Sequence, residues 1–420
     1  MGEKSFVSIV DNYINRFTLR KKIVEDSVPE DLSIVVVIPS YNEKYVVDSV
    51  ESLLSCPFSN FSVEIIIVVN HSENASKEVV DLSVKNIIDL NNLSKKNTLK
   101  KIRVLPVYVS DLKEKHAGVG WARKIGMDEG LRRFKELKKD GVLVGFDADS
   151  KVKSNYFSEI HDFFSQKIYL GASIYFEHPI NDKNFSEAQL FNISCYELHL
   201  RYYKNAINYC GFPYAFHTVG SSFAVRASAY AKQGGMNRRK AGEDFYFINK
   251  VIKGGGYGEI NSTKVFPSPR MSNRVPFGTG RAMLESNEGK TDLTLTYSFD
   301  IFKILKEWID LIEGGVYQYN LFSLVIKKFI NESSWNKNLT QLQNNTNSKE
   351  SFLKRFYTIY DAFWVLKFVH FSRDNFFPDT SLLVNVNSYL LTVEEVSFQQ
   401  ITQQLTYLRN IDQGQKKRDS

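Results

Sequence analysis

The chain has 420 residues, of which 43% are hydrophobic and 24% are charged, and this composition excludes a disordered chain and a small disulfide-stapled one. Its 54 basic and 47 acidic side chains leave a net charge of +7 that is spread along the sequence, so we expect small anionic ligands and no nucleic acid partner. Three scattered cysteines favour a reducing compartment. Because neither a secretion signal nor a run of about 18 apolar residues is apparent, we expect a cytoplasmic protein.

After a polar, helical arm at residues 1–30, short apolar runs alternate with longer amphipathic stretches. Continuous apolar runs predict strands buried on both faces, at 33–38, 63–69, 102–109 and 142–146. The stretches between them predict helices after Asn42, over 76–90 and over 120–138, with an exposed loop at 91–100. This alternation predicts an α/β domain with a mostly parallel sheet covered by helices, and ligands at the carboxyl ends of its strands.

Further along the chain, a helix over 186–207 and a strand at 222–225 are predicted, and another helix begins near Glu243. Beyond residue 285, apolar side chains recur at helical spacing, which predicts a mostly helical C-terminal region. Helices are also expected over 352–371 and 393–408, with a polar linker near 336–347. The predicted divisions are therefore an arm at 1–30, an α/β domain at 31–284 and a helical region at 285–420.

Two carboxylates, Asp147 and Asp149, directly follow the fourth predicted strand. In extended backbone, residues two apart project to the same side, so both carboxylates can face one ligand. Paired carboxylate oxygens suit Mg²⁺ or Mn²⁺ bound to a diphosphate, whereas the alternative is a solvated acidic turn.

A second acidic pair, Glu243 and Asp244, precedes the apolar start of a predicted helix. A cap at the helix N-terminus explains one of these acids. The other is then available to accept a proton from an attacking hydroxyl group.

Several motifs together resemble the family-two glycosyltransferases of GT-A fold: SIVVVIPSYNE at 33–43, Ala-Arg-x-x-Gly at 122–126, DAD at 147–149 and GEDFYF at 242–247. The resemblance covers residues 33–280 and implies a GT-A domain at 31–284, a Rossmann-like αβα sandwich with a mixed, mostly parallel sheet. It implies inverting, metal-assisted transfer from a nucleotide-sugar donor to a sugar, lipid or small-molecule acceptor, with Mg²⁺ or Mn²⁺ as cofactor. The Gln-x-x-Arg-Trp motif of the processive members is missing, which favours non-processive transfer.

The resemblance also implies roles for single residues. Asp244 is the implied catalytic base and Glu243 its acidic neighbour, with the two roles interchangeable. Asp149 is the implied direct metal ligand, and Asp147 lies near the metal or the ribose. The implied donor contacts are Pro39, Tyr41, Glu43, Asn70, Arg123, Asp147 and Arg274.

Three positions leave alternatives open. Asn70 stands where the family has an aspartate that binds the base, so the identity of the nucleotide is undecided, and its neighbour His71 is expected at the surface. Arg123 either binds the diphosphate or orders the DAD carboxylates. Arg274 belongs with Arg270 and Arg281 to a glycine-flanked basic loop, which either folds over phosphates or is an ordinary turn.

Other functional classes remain as alternatives. A retaining transferase would not need a base at Asp244, and a non-catalytic assembly subunit would keep the fold without the activity. A nucleotidyltransferase is disfavoured because the loop at 39–43 contains no glycine. The aromatic and basic segment 352–371 either lies in a core or makes peripheral contact with a membrane.

Overall fold

The computed structural model describes residues 3–57, 60–237, 242–276 and 278–414, with side chains from Ser5 onward. Within this described part, the chain forms two compact units. The first comprises residues 3–185, 218–284 and 412–414, and the second comprises 186–217 and 285–411. One division falls after residue 284, and residues 186–217 group with the C-terminal helices.

The strands and helices, in chain order, have the following bounds. The strands are β1 Leu32–Ser40, β2 Ser62–Ser72, β3 Ile102–Leu112, β4 Val142–Gly145, β5 Lys151–Val152, β6 Gly171–Phe176, β7 Phe223–Arg226, β8 Tyr257–Phe266, β9 Leu295–Thr296 and β10 Thr380–Ser381. The helices are α1 Glu3–Phe17, α2 Val46–Leu54, α3 Lys77–Lys96, α4 Val119–Glu136, α5 Tyr156–Ser165, α6 Glu187–Tyr209, α7 Ala227–Lys232, α8 Glu243–Lys253, α9 Thr279–Asn287, α10 Phe299–Glu313, α11 Leu324–Phe329, α12 Glu332–Asn344, α13 Lys349–Ile359, α14 Ala362–Asn375, α15 Leu382–Val393 and α16 Ile401–Asp412.

The first unit is built on a mixed, mostly parallel sheet with the strand order β3-β2-β1-β4-β7-β6-β8-β5 among the described residues. Strands β1, β2, β3 and β4 are parallel to one another, β7 is antiparallel to both β4 and β6, and β8 is parallel to β6. The carboxyl ends of β1, β2, β4 and β8 and the amino end of β7 therefore lie at one edge of the sheet. Since helices cover this sheet and a helical region follows it, the predicted fold class is confirmed.

The apolar runs of β1, β2 and β4 form strands whose side chains are buried on both faces. The same expectation was wrong for β3, which lies at the edge of the sheet and leaves Tyr108 exposed. All of 34–38 in β1 and 65–69 in β2 are buried, as expected for central parallel strands. Helix α4 approaches these strands closely through two glycines. A Cβ atom added at Gly130 would lie 2.7 Å from Leu143 and 2.9 Å from Val35, and one added at Gly126 would overlap Val37. This close approach places the first turn of α4, with Arg123, near the carboxyl ends of the strands.

Helix α1 packs on α4 and α7 within the first unit, so the predicted N-terminal arm is helical over its first part. The Tyr13 hydroxyl donates a 2.7 Å hydrogen bond to Asp128 on α4, and Tyr230 on α7 donates to the same carboxylate at 2.8 Å. Lys124 forms a buried ion pair with Asp128. These buried contacts brace the helix that carries Arg123.

The second unit contains α6 and helices α10 to α16, with an aromatic core around Trp308 on α10. Its ring lies 5.4 Å from that of Phe356, 5.0 Å from that of Trp364 and 6.1 Å from that of Trp335, measured between centroids. Most of these helices begin at a polar residue whose side chain accepts a first-turn N–H, as Ser298 and Asp361 do. The aromatic side chains of segment 352–371 contribute to this core, as the first of the two interpretations expected. In the described chain, no helix is long and apolar enough to cross a membrane.

Four local predictions were wrong. The helix expected over 352–371 is divided between α13, which ends at Ile359, and α14, which begins at Ala362. The loop expected at 91–100 is helical as far as Lys96, because α3 continues with solvated Asn and Lys side chains. The linker expected at 336–347 lies mostly in α12, which is held by two buried residues, Trp335 and Leu342, at a spacing of two turns. The helix expected over 393–408 is interrupted, because α15 ends at Val393 and α16 begins at Ile401.

Candidate active site

The functional candidates meet at the sheet edge where most strands have their carboxyl ends. Residues of the loop after β1 approach those of the loop after β4 and those of the segment after β8. The segment that precedes β7 and the first turn of α8 join them at the same edge, next to Arg123 on α4. Six segments that are distant in sequence therefore contribute to one site in the first unit.

Arg123 links the two acidic motifs. Its Nη2 donates a 2.6 Å hydrogen bond to Oδ1 of Asp147, and its Nη1 forms an ion pair with Oε1 of Glu243. The side chains of Arg123 and Glu243 are only 2% and 3% exposed, whereas that of Asp147 is 40% exposed. A ligand can therefore reach Asp147. Because Arg123 is buried between the two acidic motifs, the expectation that it orders the DAD carboxylates is favoured over the expectation that it binds the diphosphate.

The second acid of the α8 pair lies beside this ion-pair cluster. A Cβ atom added at Gly220 would lie 2.8 Å from Oδ2 of Asp244 and 3.0 Å from the terminal nitrogens of Arg123. Oδ1 of Asp244 accepts a 2.7 Å hydrogen bond from the N–H of Phe245. Asp244 is half-buried and so more accessible than Glu243. The backbone at Gly220 thus passes close to the two groups, and a larger residue there would displace their side-chain ends.

The electrostatics of this pair differ from those of acids at an ordinary helix start. The N-cap of α8 is Gly242, in the left-handed region at φ +70°, so neither acid is itself the cap. Burial raises the pKa of Glu243 to about 7, and Asp244 adds to this rise by repulsion, although Arg123 opposes it. Burial likewise raises the pKa of Asp244, against the opposing charge of Arg123. The pair is therefore suited to hold a proton near neutral pH.

A second ion-pair cluster surrounds Asp149. Nε of Arg270 donates a 2.7 Å hydrogen bond to Oδ2 of Asp149, and Nη2 of Arg274 lies 3.8 Å from the same oxygen. Both arginines also pair with Oε2 of Glu43, with Nη1 of Arg274 at 2.5 Å. Arg270 also lies over the ring of Tyr45, 5.5 Å from its centroid. The basic segment after β8 is therefore tied to both the loop after β1 and the DAD loop.

The donor contacts expected in the loop after β1 have specific positions. Pro39 is buried inside β1, where it is paired with Val68 of β2. Tyr41 follows the strand, half-buried, and its carbonyl oxygen accepts a 3.2 Å hydrogen bond from Arg274. Glu43 is buried, and its carboxylate forms ion pairs with both Arg270 and Arg274.

Unpartnered polar groups mark the same edge. Both side-chain amide atoms of Asn70, in β2, are buried without a hydrogen-bond partner among the described residues, and so are the hydroxyl groups of Ser40 and Ser150. An unpaired buried polar group costs about 1–3 kcal/mol. Such groups at the carboxyl ends of β1, β2 and β4 indicate a place where a polar ligand or water binds.

The expectation that His71 lies at the surface was wrong. Its ring is buried, with Nδ1 2.8 Å from the carbonyl oxygen of Ser72 and Nε2 2.7 Å from the hydroxyl of Tyr108. Arg270 was expected as a member of the basic loop but not as one of the donor contacts. The only sequence signal for it was its place in the basic loop, in which Phe277 lies outside the described residues and Arg281 lies in the first turn of α9.

The donor set fits a divalent cation that takes most of its ligands from phosphate and water. Among the described residues, no group of three or more His, Cys, Asp or Glu side chains is arranged to hold a metal ion by itself. Mg²⁺, however, is commonly bound through one or two carboxylates plus substrate phosphates, and Asp147 and Asp149 supply two. With every carboxylate ionised, five carboxylates stand against three guanidinium groups, an excess of two negative charges, and a proton held by the Glu243 and Asp244 pair reduces this excess to one. A cation that screens a bound diphosphate is consistent with this excess.

No protein-family model matches the chain, and no curated protein matches it. Solved structures that match include S. aureus TarS 1-349 in complex with UDP-GlcNAc, at 12% identity over 91% of each chain with a TM-score of 0.36. Another is the mannosyltransferase PcManGT from Pyrobaculum calidifontis in complex with GDP-Man and Mn²⁺, at 11% identity over 89% of this chain and 93% of that one, with a TM-score of 0.35.

A further structure of TarS 1-349 matches at 14% identity and a TM-score of 0.35, over 56% of this chain and only 60% of that chain. At such identities and TM-scores the matches carry no argument about this protein. Its fold class therefore rests on the strand order of the sheet, and any statement about its function rests on the geometry of the site.

Proposed function

We propose that this protein is an inverting glycosyltransferase that moves a sugar from a nucleoside-diphosphate sugar to an acceptor hydroxyl. The observation that carries the proposal is the pairing of Arg123 with both Asp147 and Glu243, with Asp244 alongside. A transferase of this kind needs carboxylates that hold a cation at the donor diphosphate and a carboxylate that accepts the proton of the acceptor. Arg123 pairs with a candidate for the first role, Asp147, and with the acidic pair that contains a candidate for the second.

In the proposed reaction, the acceptor oxygen forms a bond to the anomeric carbon while the bond from that carbon to the diphosphate oxygen breaks. Asp244 accepts the acceptor's proton, and the electron pair of the broken bond leaves with the nucleoside diphosphate. General base catalysis of this kind contributes about 10²–10⁴-fold in rate. Asp244 suits the role better than Glu243, because Glu243 is almost fully buried and already ion-paired with Arg123.

The remaining residues bind and orient the donor in this proposal. Asp147 and Asp149 would hold a Mg²⁺ or Mn²⁺ ion, which neutralises charge on the leaving diphosphate. The buried, unpartnered amide of Asn70 can both donate to and accept from the edge of a base. Pro39, Tyr41 and Glu43 shape the loop beside the nucleotide, and Arg274 contributes positive charge near the phosphates.

The test is a panel of UDP-sugars and GDP-sugars with Mn²⁺, in which nucleoside diphosphate release and the anomeric configuration of the product are measured. Asp244→Asn should bind the donor normally and lose at least about 10²-fold in kcat. Asp111→Asn is the matched control, because Asp111 is exposed and pairs only at the surface with Arg20. Full turnover by Asp244→Asn would remove that residue as the base.

The alternatives give different results in the same assay. A product with the donor's anomeric configuration would indicate a retaining transferase. If no nucleotide sugar raises the melting temperature or is turned over, the non-catalytic assembly subunit becomes the better explanation.

A further inference from the structure

Arg270, and at a longer distance Arg274, lie against one oxygen of the Asp149 carboxylate, which is one of the two carboxylates available to a cation. Oδ2 of Asp149 accepts a 2.7 Å hydrogen bond from Nε of Arg270, and Nη2 of Arg274 lies 3.8 Å away. The Arg270 and Asp149 side chains are 18% and 21% exposed, so this ion pair is mostly removed from water. A divalent cation and the two guanidinium groups therefore compete for the same carboxylate oxygen.

The arginines have an independent anchor, Glu43, which does not depend on Asp149. Oε2 of Glu43 accepts from both arginines, while its Oε1 accepts a 2.9 Å hydrogen bond from the N–H of Tyr45. The backbone of Glu43 is held in turn, because its carbonyl oxygen accepts a 2.6 Å hydrogen bond from Asn86. Breaking the contacts with Asp149 thus leaves both arginines attached to the loop after β1, so a change of side-chain position is enough to free Asp149.

We propose that Arg270 and Arg274 act as an internal counter-ion that blocks Asp149 against a divalent cation until an anionic diphosphate attracts the guanidinium groups. Guanidinium groups bind phosphate oxygens in the same forked geometry as carboxylate oxygens, so a diphosphate is a suitable competitor for them. Cation and diphosphate then favour each other's binding, and the coupling is reciprocal. The identity of the diphosphate as part of a sugar donor rests on the proposed function, whereas the competition for Asp149 does not.

The test is the affinity of the full chain for Mn²⁺ alone, measured by calorimetry and by the electron paramagnetic resonance signal of free Mn²⁺. Arg270→Gln removes the guanidinium but keeps a polar side chain, and it should bind Mn²⁺ about tenfold more tightly than wild type, as expected for loss of one charged hydrogen bond. The gain should vanish in the double variant Arg270→Gln/Asp149→Ala. Arg20→Gln, which removes an arginine from a surface pair with Asp111, should match wild type.

Two further measurements make the result decisive. Arg270→Lys keeps the positive charge but lacks the forked guanidinium that bridges two carboxylates. It should therefore bind Mn²⁺ more tightly than wild type, but less tightly than Arg270→Gln. If Arg270→Gln does not fold, as judged by its melting transition, Arg270→Lys carries the test. Saturating inorganic pyrophosphate, with correction for Mn²⁺ bound in solution, should tighten Mn²⁺ binding more in wild type than in Arg270→Gln.

Equal Mn²⁺ affinity in wild type, Arg270→Gln and Arg270→Lys would overturn the proposal, and so would a gain that survives the loss of Asp149. These outcomes are separate from the fate of the proposed function. Tighter Mn²⁺ binding in Arg270→Gln, without sugar transfer by the wild type from any donor, would support the counter-ion proposal and exclude the transferase. Sugar transfer by the wild type, with equal Mn²⁺ affinity in wild type and Arg270→Gln, would support the transferase and overturn the counter-ion.

Discussion

The raised pKa of Glu243 predicts that the stability of the first unit falls as pH rises towards neutrality. The unfolded chain releases the Glu243 proton at its ordinary pKa of 4.5, whereas the folded protein holds it to about pH 7. Between these values Glu243 binds more of its proton in the folded state than in the unfolded state, so its contribution to stability falls with each unit of pH. At about 1.4 kcal/mol per unit, the loss over this window is about 3 kcal/mol.

Replacing Glu243 by glutamine removes the titrating group and should flatten this pH dependence. The variant also lacks the ion pair with Arg123, so its stability at a single pH does not test the prediction. The informative quantity is the slope of the free energy of unfolding against pH between pH 4.5 and pH 7, compared between variant and wild type. The assay is urea unfolding of the full chain at several pH values, followed through its first transition. Glu25→Gln, at an exposed glutamate, is the control and should keep the wild-type slope.

Identical slopes in wild type and Glu243→Gln would refute the reasoning, since no other change is made to the titrating groups at α8. A slope that flattens equally in Glu25→Gln would assign the pH dependence to general surface charge. A flattening confined to Glu243→Gln would show that burial at this position holds a proton that the unfolded chain releases.

Two further predictions concern positions where the structure leaves no room or no partner. Gly220→Ala should keep the melting temperature within a few degrees yet lower kcat, because the new Cβ would lie 2.8 Å from Oδ2 of Asp244 and displace that carboxylate. An unchanged kcat would mean that turnover does not depend on the present position of the Asp244 carboxylate. Asn70→Leu should raise stability by about 1–2 kcal/mol in urea unfolding, because it removes two unpaired buried polar atoms, and it should abolish stabilisation by nucleotide; retained nucleotide stabilisation would exclude Asn70 from the base site.

The strands and the main helices were predictable because their signals are local. Continuous β-branched runs predict buried parallel strands, and β1 and β2 lie where such runs occur. Errors arose where burial is sparse. Helix α12 buries only Trp335 and Leu342, so its sequence resembles that of a linker, and in segment 352–371 Asp361 caps a new helix where the hydrophobic pattern suggested one continuous helix.

The candidate acids were also visible in the sequence, because a carboxylate directly after an apolar strand, or in a first helical turn, has a position that follows from secondary structure alone. What the pattern could not supply was the partner of each acid. Arg123 was open to two roles until its burial between Asp147 and Glu243 favoured one. Arg270 was expected only as a member of the basic loop, since nothing in such a loop indicates which carboxylate it meets.

The amino-acid sequence by itself determined the alternation of strands and helices, the edge of the sheet where ligands are expected and the residue types available there, because each depends on contacts between near neighbours in the chain. Only the tertiary structure decided that Glu43 pairs with Arg270 and Arg274, that Asp149 is held by those same guanidinium groups and that the Asn70 amide meets no hydrogen-bond partner among the described residues. These pairings join residues more than 100 positions apart. They depend on how closely the helices approach the sheet, and such distances are set by packing throughout the unit and not by any local pattern.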